Sequence, residues 1–189
     1  MRSSLTGGIK ETIKIAGFGG QGVVLASVIL GRSAIFEGKY ATQTASFGSE
    51  SRGGECKAEV VISNNPIDYP LVDKVQTLVV MSQPALSKYV DDLVKGGTMI
   101  VDPDMLKKSP ERDDITIIKV PAAKTADALG RRIFENIVML GALQAKTGIV
   151  SEESLLTAIR ENVPAKTIDS NLAAAREGMK IVRSLEEKF

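Results

Sequence analysis

Short apolar runs alternate with helical patterns over the first two thirds of the chain. Strand-like apolar runs occupy residues 12–16, 57–63, 77–81, 99–101 and 115–120. Residues 40–47, rich in Thr, Ser and Ala, form a further strand candidate. Helical patterning fills residues 23–36, and Gln83-Pro84 opens a second helix that is predicted to stop at Gly96-Gly97. The last third reads as helix over residues 122–148, 151–162 and 165–188, with Ser151 as an N-cap.

This order of elements predicts an α/β fold, because strands that alternate with helices usually form a largely parallel sheet between helical layers. Two consecutive strands flank the polar loop at 48–55, which favours some antiparallel pairing. The expected fold is therefore a three-layer αβα sandwich with a mostly parallel, mixed sheet. We expect one domain over residues 1–189, with an α/β core at about 10–148 and C-terminal helices at about 149–189.

Two of the predicted helical segments are unusually apolar. Residues 23–36 carry apolar side chains on too many faces for a helix that shows one side to water, and residues 133–143 are similar. One small domain is not expected to hide both segments. We therefore predict that the chain associates with itself when it is alone and joins partners through apolar surface.

The charge balance argues against a polyanionic partner. The chain of 189 residues has 24 Lys and Arg against 23 Asp and Glu, which lacks the basic excess of a nucleic-acid-binding protein. No apolar run reaches the roughly 20 residues that span a bilayer, and no signal sequence is recognisable at the start. We expect a cytoplasmic protein that binds neither nucleic acid nor membrane.

The sequence also contains few residues of the types that bind metals or act as a general base. The sequence has one cysteine, Cys56, and no histidine, so it lacks the four thiolates of an iron–sulfur cluster and the commonest general base. No catalytic residue and no metal site are expected in this chain, and Cys56 is interpreted as a small packing residue.

A glycine-rich turn follows the first strand. Gly17, Gly19 and Gly22 fit the pattern G-x-G-x-x-G at a strand-to-helix junction, where dinucleotide-binding proteins hold a pyrophosphate. Such proteins carry an acid about 20 residues later for the ribose, and residues 40–46 contain none, which disfavours NAD. Two interpretations stay open: a tight turn for close helix packing, or a cradle of N–H groups for an anion.

A second polar loop offers one guanidinium among hydroxyls and glycines. Ser51, Arg52 and Gly53 could grip a phosphate, since arginine binds such anions with paired hydrogen bonds. The alternative is a solvated loop in which Arg52 pairs with a neighbouring glutamate to little energetic effect.

Together, the two loops resemble the γ subunit of 2-oxoacid:ferredoxin oxidoreductases. The resemblance rests on residues 17–23 and 51–54, and it extends to residues 63–70, to residues 136–143 and to the overall length. It implies a multi-subunit enzyme with α, β and δ-type subunits that converts a 2-oxoacid to an acyl-CoA and reduces ferredoxin.

The same resemblance divides the chemistry among the subunits. It implies that thiamine diphosphate, magnesium and the iron–sulfur clusters lie on partner subunits, that this chain alone binds no cofactor and has no activity, and that coenzyme A is a co-substrate. The γ chain would then contribute assembly and part of a coenzyme A site. The candidate contacts for coenzyme A or another anion are Gly17, Gly19, Gly20, Gln21, Gly22, Ser51, Arg52 and Gly53.

The sequence says less about the substrate, because the pocket that selects the 2-oxoacid would lie beside thiamine on other chains. A small separate γ chain favours 2-oxoglutarate over branched-chain oxoacids and pyruvate. Two alternatives come from other classes of protein: a free-standing, Rossmann-like nucleotide-binding module, and a purely structural scaffold in which the Arg52 loop has no ligand.

Overall fold

A computed structural model describes residues 10–48, 54–108 and 110–187. The strands are β1 Lys10–Phe18, β2 Tyr40–Phe47, β3 Glu55–Ser63, β4 Val75–Val80, β5 Leu93–Val101 and β6 Thr116–Lys119. The helices are α1 Val23–Phe36, α2 Gln83–Tyr89, α3 Ala122–Ala128, α4 Glu135–Thr147, α5 Glu152–Asn162 and α6 Ile168–Glu186.

The strands form one mixed sheet in the order β2-β3-β1-β4-β5-β6. Strands β1, β4, β5 and β6 run parallel, whereas β3 is antiparallel to both β1 and β2. The short connection between β2 and β3 makes this antiparallel pairing possible, as the sequence suggested. The predicted α/β sandwich with a mixed sheet and a helical C-terminal region is thus confirmed.

Each face of the sheet has its own core. On one face, Ile13, Val60 and Ile100 pack in the larger core with α1, α4, α5 and α6. On the other face, Leu78 and Met99 pack beneath α2 in a smaller core. Side chains of successive strand residues point to opposite faces, so β4 and β5 supply apolar residues to both cores. Strand β1 instead adds Lys14 on the α2 side, where it is buried in ion pairs with Glu59 and Asp92.

The helix predicted to continue to Gly96-Gly97 is shorter than expected. Helix α2 ends at Tyr89, and the two glycines lie inside β5. Gly96 has a φ of 74°, and a side chain at Gly97 would press on the carbonyl oxygens of Gln76 and Val94 at 2.9 Å. These glycines permit a bent strand to pass close to β4, which the sequence pattern does not distinguish from a helix stop.

The predicted continuous helix at 122–148 is also divided. Gly130, with a φ of 95°, separates α3 from a short 3-10 turn at Arg132–Phe134, after which α4 begins. A glycine in this left-handed region ends a helix readily, because other residues are strained there.

Helix α4 corrects the expectation that its apolar surface needs a partner. All residues from Glu135 to Gln144 are buried within this chain, largely because α6 packs closely along α4. The close approach depends on glycine: a side chain at Gly141 would lie 2.0 Å from the Ala175 carbonyl oxygen. Within the described residues, no helix is both long and apolar enough to cross a bilayer.

Candidate functional site

The glycine turn lies at the carboxyl end of β1, between Phe18 and the start of α1. Gly20 and Gly22 adopt φ values of 103° and 73°, which side-chain-bearing residues rarely occupy. Gly22 is the N-cap of α1, and a Cβ there would lie 2.3 Å from the Asn136 amide nitrogen. Glycine is therefore required at positions 20 and 22 for the backbone conformation, and at position 22 also for close packing against Asn136.

The side chain of Gln21 forms two hydrogen bonds that hold the glycine turn in place. Its Oε1 accepts a hydrogen bond from the Phe18 N–H at 2.6 Å, and its Nε2 donates to the Met81 carbonyl at 3.0 Å. Gly17 makes room for this arrangement, since a Cβ at Gly17 would lie 2.5 Å from Gln21 Oε1. Gln21 thus ties the end of β1 to the end of β4.

Asn136 holds the turn from the side of α4. Its Nδ2 donates to the Gly22 carbonyl oxygen at 3.0 Å, and the side chain is almost fully buried. A backbone carbonyl thus satisfies this polar residue inside an apolar helix.

The described ends of the second loop lie at this end of the sheet. The Gly19 N–H donates to the Gly54 carbonyl oxygen at 2.7 Å, and the Gly48 N–H donates to the Glu55 carbonyl oxygen at 2.7 Å. Ser51, Arg52 and Gly53 lie outside the described residues. The residue that follows them, Gly54, is in direct contact with the glycine turn, so the second loop returns to the sheet beside the first.

The position is a topological switch point. Strands β1 and β4 are adjacent and parallel, and the helices that follow them, α1 and α2, cover opposite faces of the sheet. A crevice forms where two such connections diverge at the carboxyl ends of the strands, and ligands of open α/β sheets bind there.

A cavity of about 290 Å³ opens beside the glycine turn. Its wall combines apolar Leu25 and Ile133 with the cationic side chains of Arg131 and Lys166. Among the described residues, no carboxylate lies within 4 Å of either cation. The sequence analysis missed Arg131 and Lys166, because they precede α4 and α6 in separate connections and only tertiary packing brings them to the turn.

Two buried carboxyl groups support this end of the sheet. Burial raises the pKa of Asp102, although its carboxylate accepts hydrogen bonds from the N–H groups of Ala123 and Asp104. Burial likewise raises the pKa of Glu135, which the hydrogen bond with Gln21 partly offsets. Asp102 thus joins the end of β5 to the start of α3, and Glu135 contacts Gln21 of the glycine turn.

Cys56 lies in β3 and is buried, and burial raises the pKa of its thiol. This agrees with a packing residue rather than a reactive thiolate. Within residues 10–48, 54–108 and 110–187, no group of three or more His, Cys, Asp or Glu side chains is placed to hold a metal ion.

The position of β2 argues against a dinucleotide-binding module. In that fold the strand after the first helix lies parallel beside β1 and ends in the acid that binds ribose. Here β2 is antiparallel to β3 at the edge of the sheet, away from β1, and its uncharged sequence supplies no acid.

Comparisons with known proteins agree with this geometry. The family model described as pyruvate ferredoxin/flavodoxin oxidoreductase matches residues 12–181. The 2-oxoglutarate synthase subunit KorC of Methanothermobacter thermautotrophicus is 45% identical, over 92% of this chain and 96% of that protein. KorC of Methanocaldococcus jannaschii is 46% identical, over 94% of this chain and 96% of its own length.

A solved structure shows the same fold. The γ subunit of a keto/oxoacid ferredoxin oxidoreductase from Geobacter sulfurreducens superposes with a TM-score of 0.82. It is 36% identical, and the match covers 92% of this chain and 99% of that one.

The fold, together with these comparisons, defines an α/β subunit of an oxidoreductase. The chain belongs to the pyruvate ferredoxin/flavodoxin oxidoreductase family, as the γ subunit of a 2-oxoacid:ferredoxin oxidoreductase. The resemblance seen in the two loops is thereby confirmed.

Proposed function

We propose that this γ chain serves a thiamine-dependent enzyme that converts 2-oxoglutarate to succinyl-CoA and reduces ferredoxin in the cytoplasm. The choice of 2-oxoglutarate is supported by the KorC relatives, which share 45–46% identity with this chain over nearly their whole length. In this proposal α, β and δ-type subunits carry thiamine diphosphate, magnesium and the iron–sulfur clusters. The one cysteine and the absence of histidine in this chain are consistent with that division of labour.

The chain's own contribution is proposed to be part of the coenzyme A site. Coenzyme A presents phosphates, which backbone N–H groups at a helix N-terminus and guanidinium groups bind well. The observation that carries the proposal is the hydrogen bond between Gly19 and Gly54, since it joins the turn before α1 to the loop containing Arg52.

The electrostatics of the surroundings support an anion at this place. The first N–H groups of α1 have no partner within the helix, and its first turn contains no acidic residue. Arg131 and Lys166 stand in the wall of the adjoining cavity, and its apolar residues Leu25 and Ile133 suit a ligand that is only partly charged.

Replacing Arg52 tests the proposal. In the assembled complex, Arg52→Ala is expected to raise the KM for coenzyme A by a factor of about 10, because losing one charge-assisted phosphate contact costs about 1.5 kcal/mol. The KM for the 2-oxoacid should stay unchanged. Steady-state kinetics under anaerobic conditions, with ferredoxin reduction as the readout, measure both constants.

Arg176→Ala is the matched control, since Arg176 is exposed on α6 and lies outside both loops. It should leave both constants at their wild-type values. An unchanged KM for coenzyme A in Arg52→Ala, in a complex of normal composition, would instead support the purely structural scaffold.

A further inference from the structure

Strand β2 forms one edge of the sheet and lacks the features that usually protect such an edge. Its residues, Tyr40–Phe47, include no charged residue and no proline, and they pair with β3 in unbroken register without a bulge. Edge strands of soluble proteins are commonly blunted by lysine, proline or bulges, because an open row of backbone groups pairs readily with another strand. The outer side of β2 is therefore suited to pair with a further strand.

The hydrogen-bonding pattern shows which backbone groups point outwards. The Gly48 N–H donates to the Glu55 carbonyl oxygen, and this pair continues the register in which Tyr40 lies opposite Ser63. Even-numbered positions of β2 therefore face β3, since bonded and non-bonded pairs alternate along an antiparallel ladder. The N–H and C=O groups of Ala41, Gln43 and Ala45 point away from the sheet.

The sequence of the strand identifies the partner. Residues Ala41-Thr42-Gln43-Thr44-Ala45 read the same in both directions about Gln43. We propose that β2 pairs antiparallel with β2 of a second copy of this chain, across a twofold axis at Gln43. A twofold interface uses the same patch on both partners, and the palindrome places identical side chains opposite each other in every pair of the strand.

The proposed register uses every outward backbone group of the palindrome. Gln43 lies opposite Gln43 of the second copy, and Ala41 lies opposite Ala45 of the second copy. All three are outward positions, so each pair exchanges two hydrogen bonds, on the order of six in total. A shift by one residue would bring inward-facing groups opposite outward ones and break the ladder.

The threonines of the strand fit the same register. Thr42 would lie opposite Thr44 of the second copy in a non-hydrogen-bonded pair, where side chains approach most closely. Among the described residues, the Thr42 hydroxyl is buried without a hydrogen-bond partner, whereas the Thr44 hydroxyl bonds to Glu59 at 3.3 Å. Rotation about χ1 would turn the Thr42 hydroxyl towards Thr44 of the second copy and satisfy it.

Apolar side chains lie at both ends of the exposed edge. Ile35 and Phe36 at the end of α1, and Tyr40 and Phe47 at the ends of β2, are each between 43% and 66% exposed. These groups would extend the interface beyond the strands, which a stable contact of about 1,000 Å² or more needs.

Light scattering on the full chain, purified alone, measures the association. We expect about twice the 20.2 kDa of one chain at micromolar concentration. Ala45→Pro removes one outward N–H from an edge position, and it should weaken dimerisation at least about tenfold while leaving the thermal melt of the chain nearly unchanged. The control Ala45→Ser keeps the N–H and should dimerise like the wild type.

Cysteine cross-linking tests the register and remains informative if the proline variant fails to fold. A mixture of Thr42→Cys and Thr44→Cys chains should form a disulfide-linked dimer under mild oxidation, because those positions lie opposite each other. Each variant alone should cross-link poorly, since its own cysteines would be about 7 Å or more apart.

Three outcomes would overturn the proposal. They are a wild-type chain that stays monomeric up to about 100 µM, a proline variant that dimerises as tightly as the serine variant, and equal cross-linking in the mixture and in the single variants. If the chain is monomeric but still joins its partner subunits, the edge of β2 would instead pair with a strand of another subunit.

Discussion

Helices α1 and α4 have similar apolar sequences but different positions in the fold. In α4, every residue from Glu135 to Gln144 is buried, because α6 covers the side that the sheet and α1 leave open. In α1, Leu25, Ile35 and Phe36 remain exposed. A strongly apolar helix thus does not by itself indicate a partner. The decisive feature is whether a later element of the same chain packs on it.

Replacing one glycine in each of the two helices should give the largest difference in stability. Gly141→Ala in α4 would place a methyl group 2.0 Å from the Ala175 carbonyl oxygen, which is a backbone atom that cannot turn aside. We expect a loss of about 3 kcal/mol or more in the free energy of unfolding, or failure to fold. Urea denaturation of the purified variant measures this loss.

The corresponding change in α1 is the control. A Cβ at Gly31 would lie 3.9 Å from the Ala41 Cβ, an ordinary contact. Gly31→Ala should therefore be neutral or should raise stability by up to about 1 kcal/mol, because alanine favours the helix. Equal destabilisation by both changes would contradict the contrast between the helices.

Breaking the hydrogen bond between α4 and the turn before α1 is expected to have a smaller effect on stability. Asn136→Ala removes the hydrogen bond from α4 to the Gly22 carbonyl oxygen and should cost about 1–2 kcal/mol. Arg32→Ala removes an exposed ion pair with Glu161 and a surface contact with the Phe36 ring, and should change stability by less than about 1 kcal/mol. If the two variants melted alike, Asn136 would have no special role in holding the glycine turn.

The end of α1 gives an effect that depends on pH. Burial alone would raise the pKa of Glu37, but hydrogen bonds from Lys39 and from the N–H and hydroxyl of Ser151 lower it to about 2. Because the folded pKa is lowered, the charged carboxylate stabilises the fold above its unfolded pKa, and this contribution is lost as the pH falls towards 2.

The difference in free energy of unfolding between wild type and Glu37→Gln should accordingly be largest near neutral pH. It should shrink between about pH 5 and pH 2, where the carboxylate takes up its proton. A difference that stays constant over this range would show that Glu37 acts by packing rather than by charge.

Much of the fold follows from local patterns. The bounds of α1 and β2 were predicted to the residue, and the polar loop between β2 and β3 indicated the antiparallel pair. The sequence did not reveal that Gly96 and Gly97 bend a strand, because a pair of glycines permits both a bend and a helix stop.

The site was predictable only where its parts are contiguous in sequence. The glycine turn was recognisable, but the task of Gln21 depends on the Met81 carbonyl, sixty residues away. Arg131 and Lys166 reach the same cavity from two distant connections. Contacts between residues so far apart in sequence arise from tertiary packing, and a local sequence pattern does not predict them.

Anaerobic isolation of the chain with its partners tests the central claim most directly. A tagged chain should co-purify with α, β and δ-type subunits, and the complex should reduce ferredoxin with 2-oxoglutarate only when coenzyme A is present. Removing the γ chain should abolish this activity, and adding it back should restore it. A complex without the chain that retained full coenzyme A-dependent activity, or a chain that brought no such subunits with it, would contradict the account.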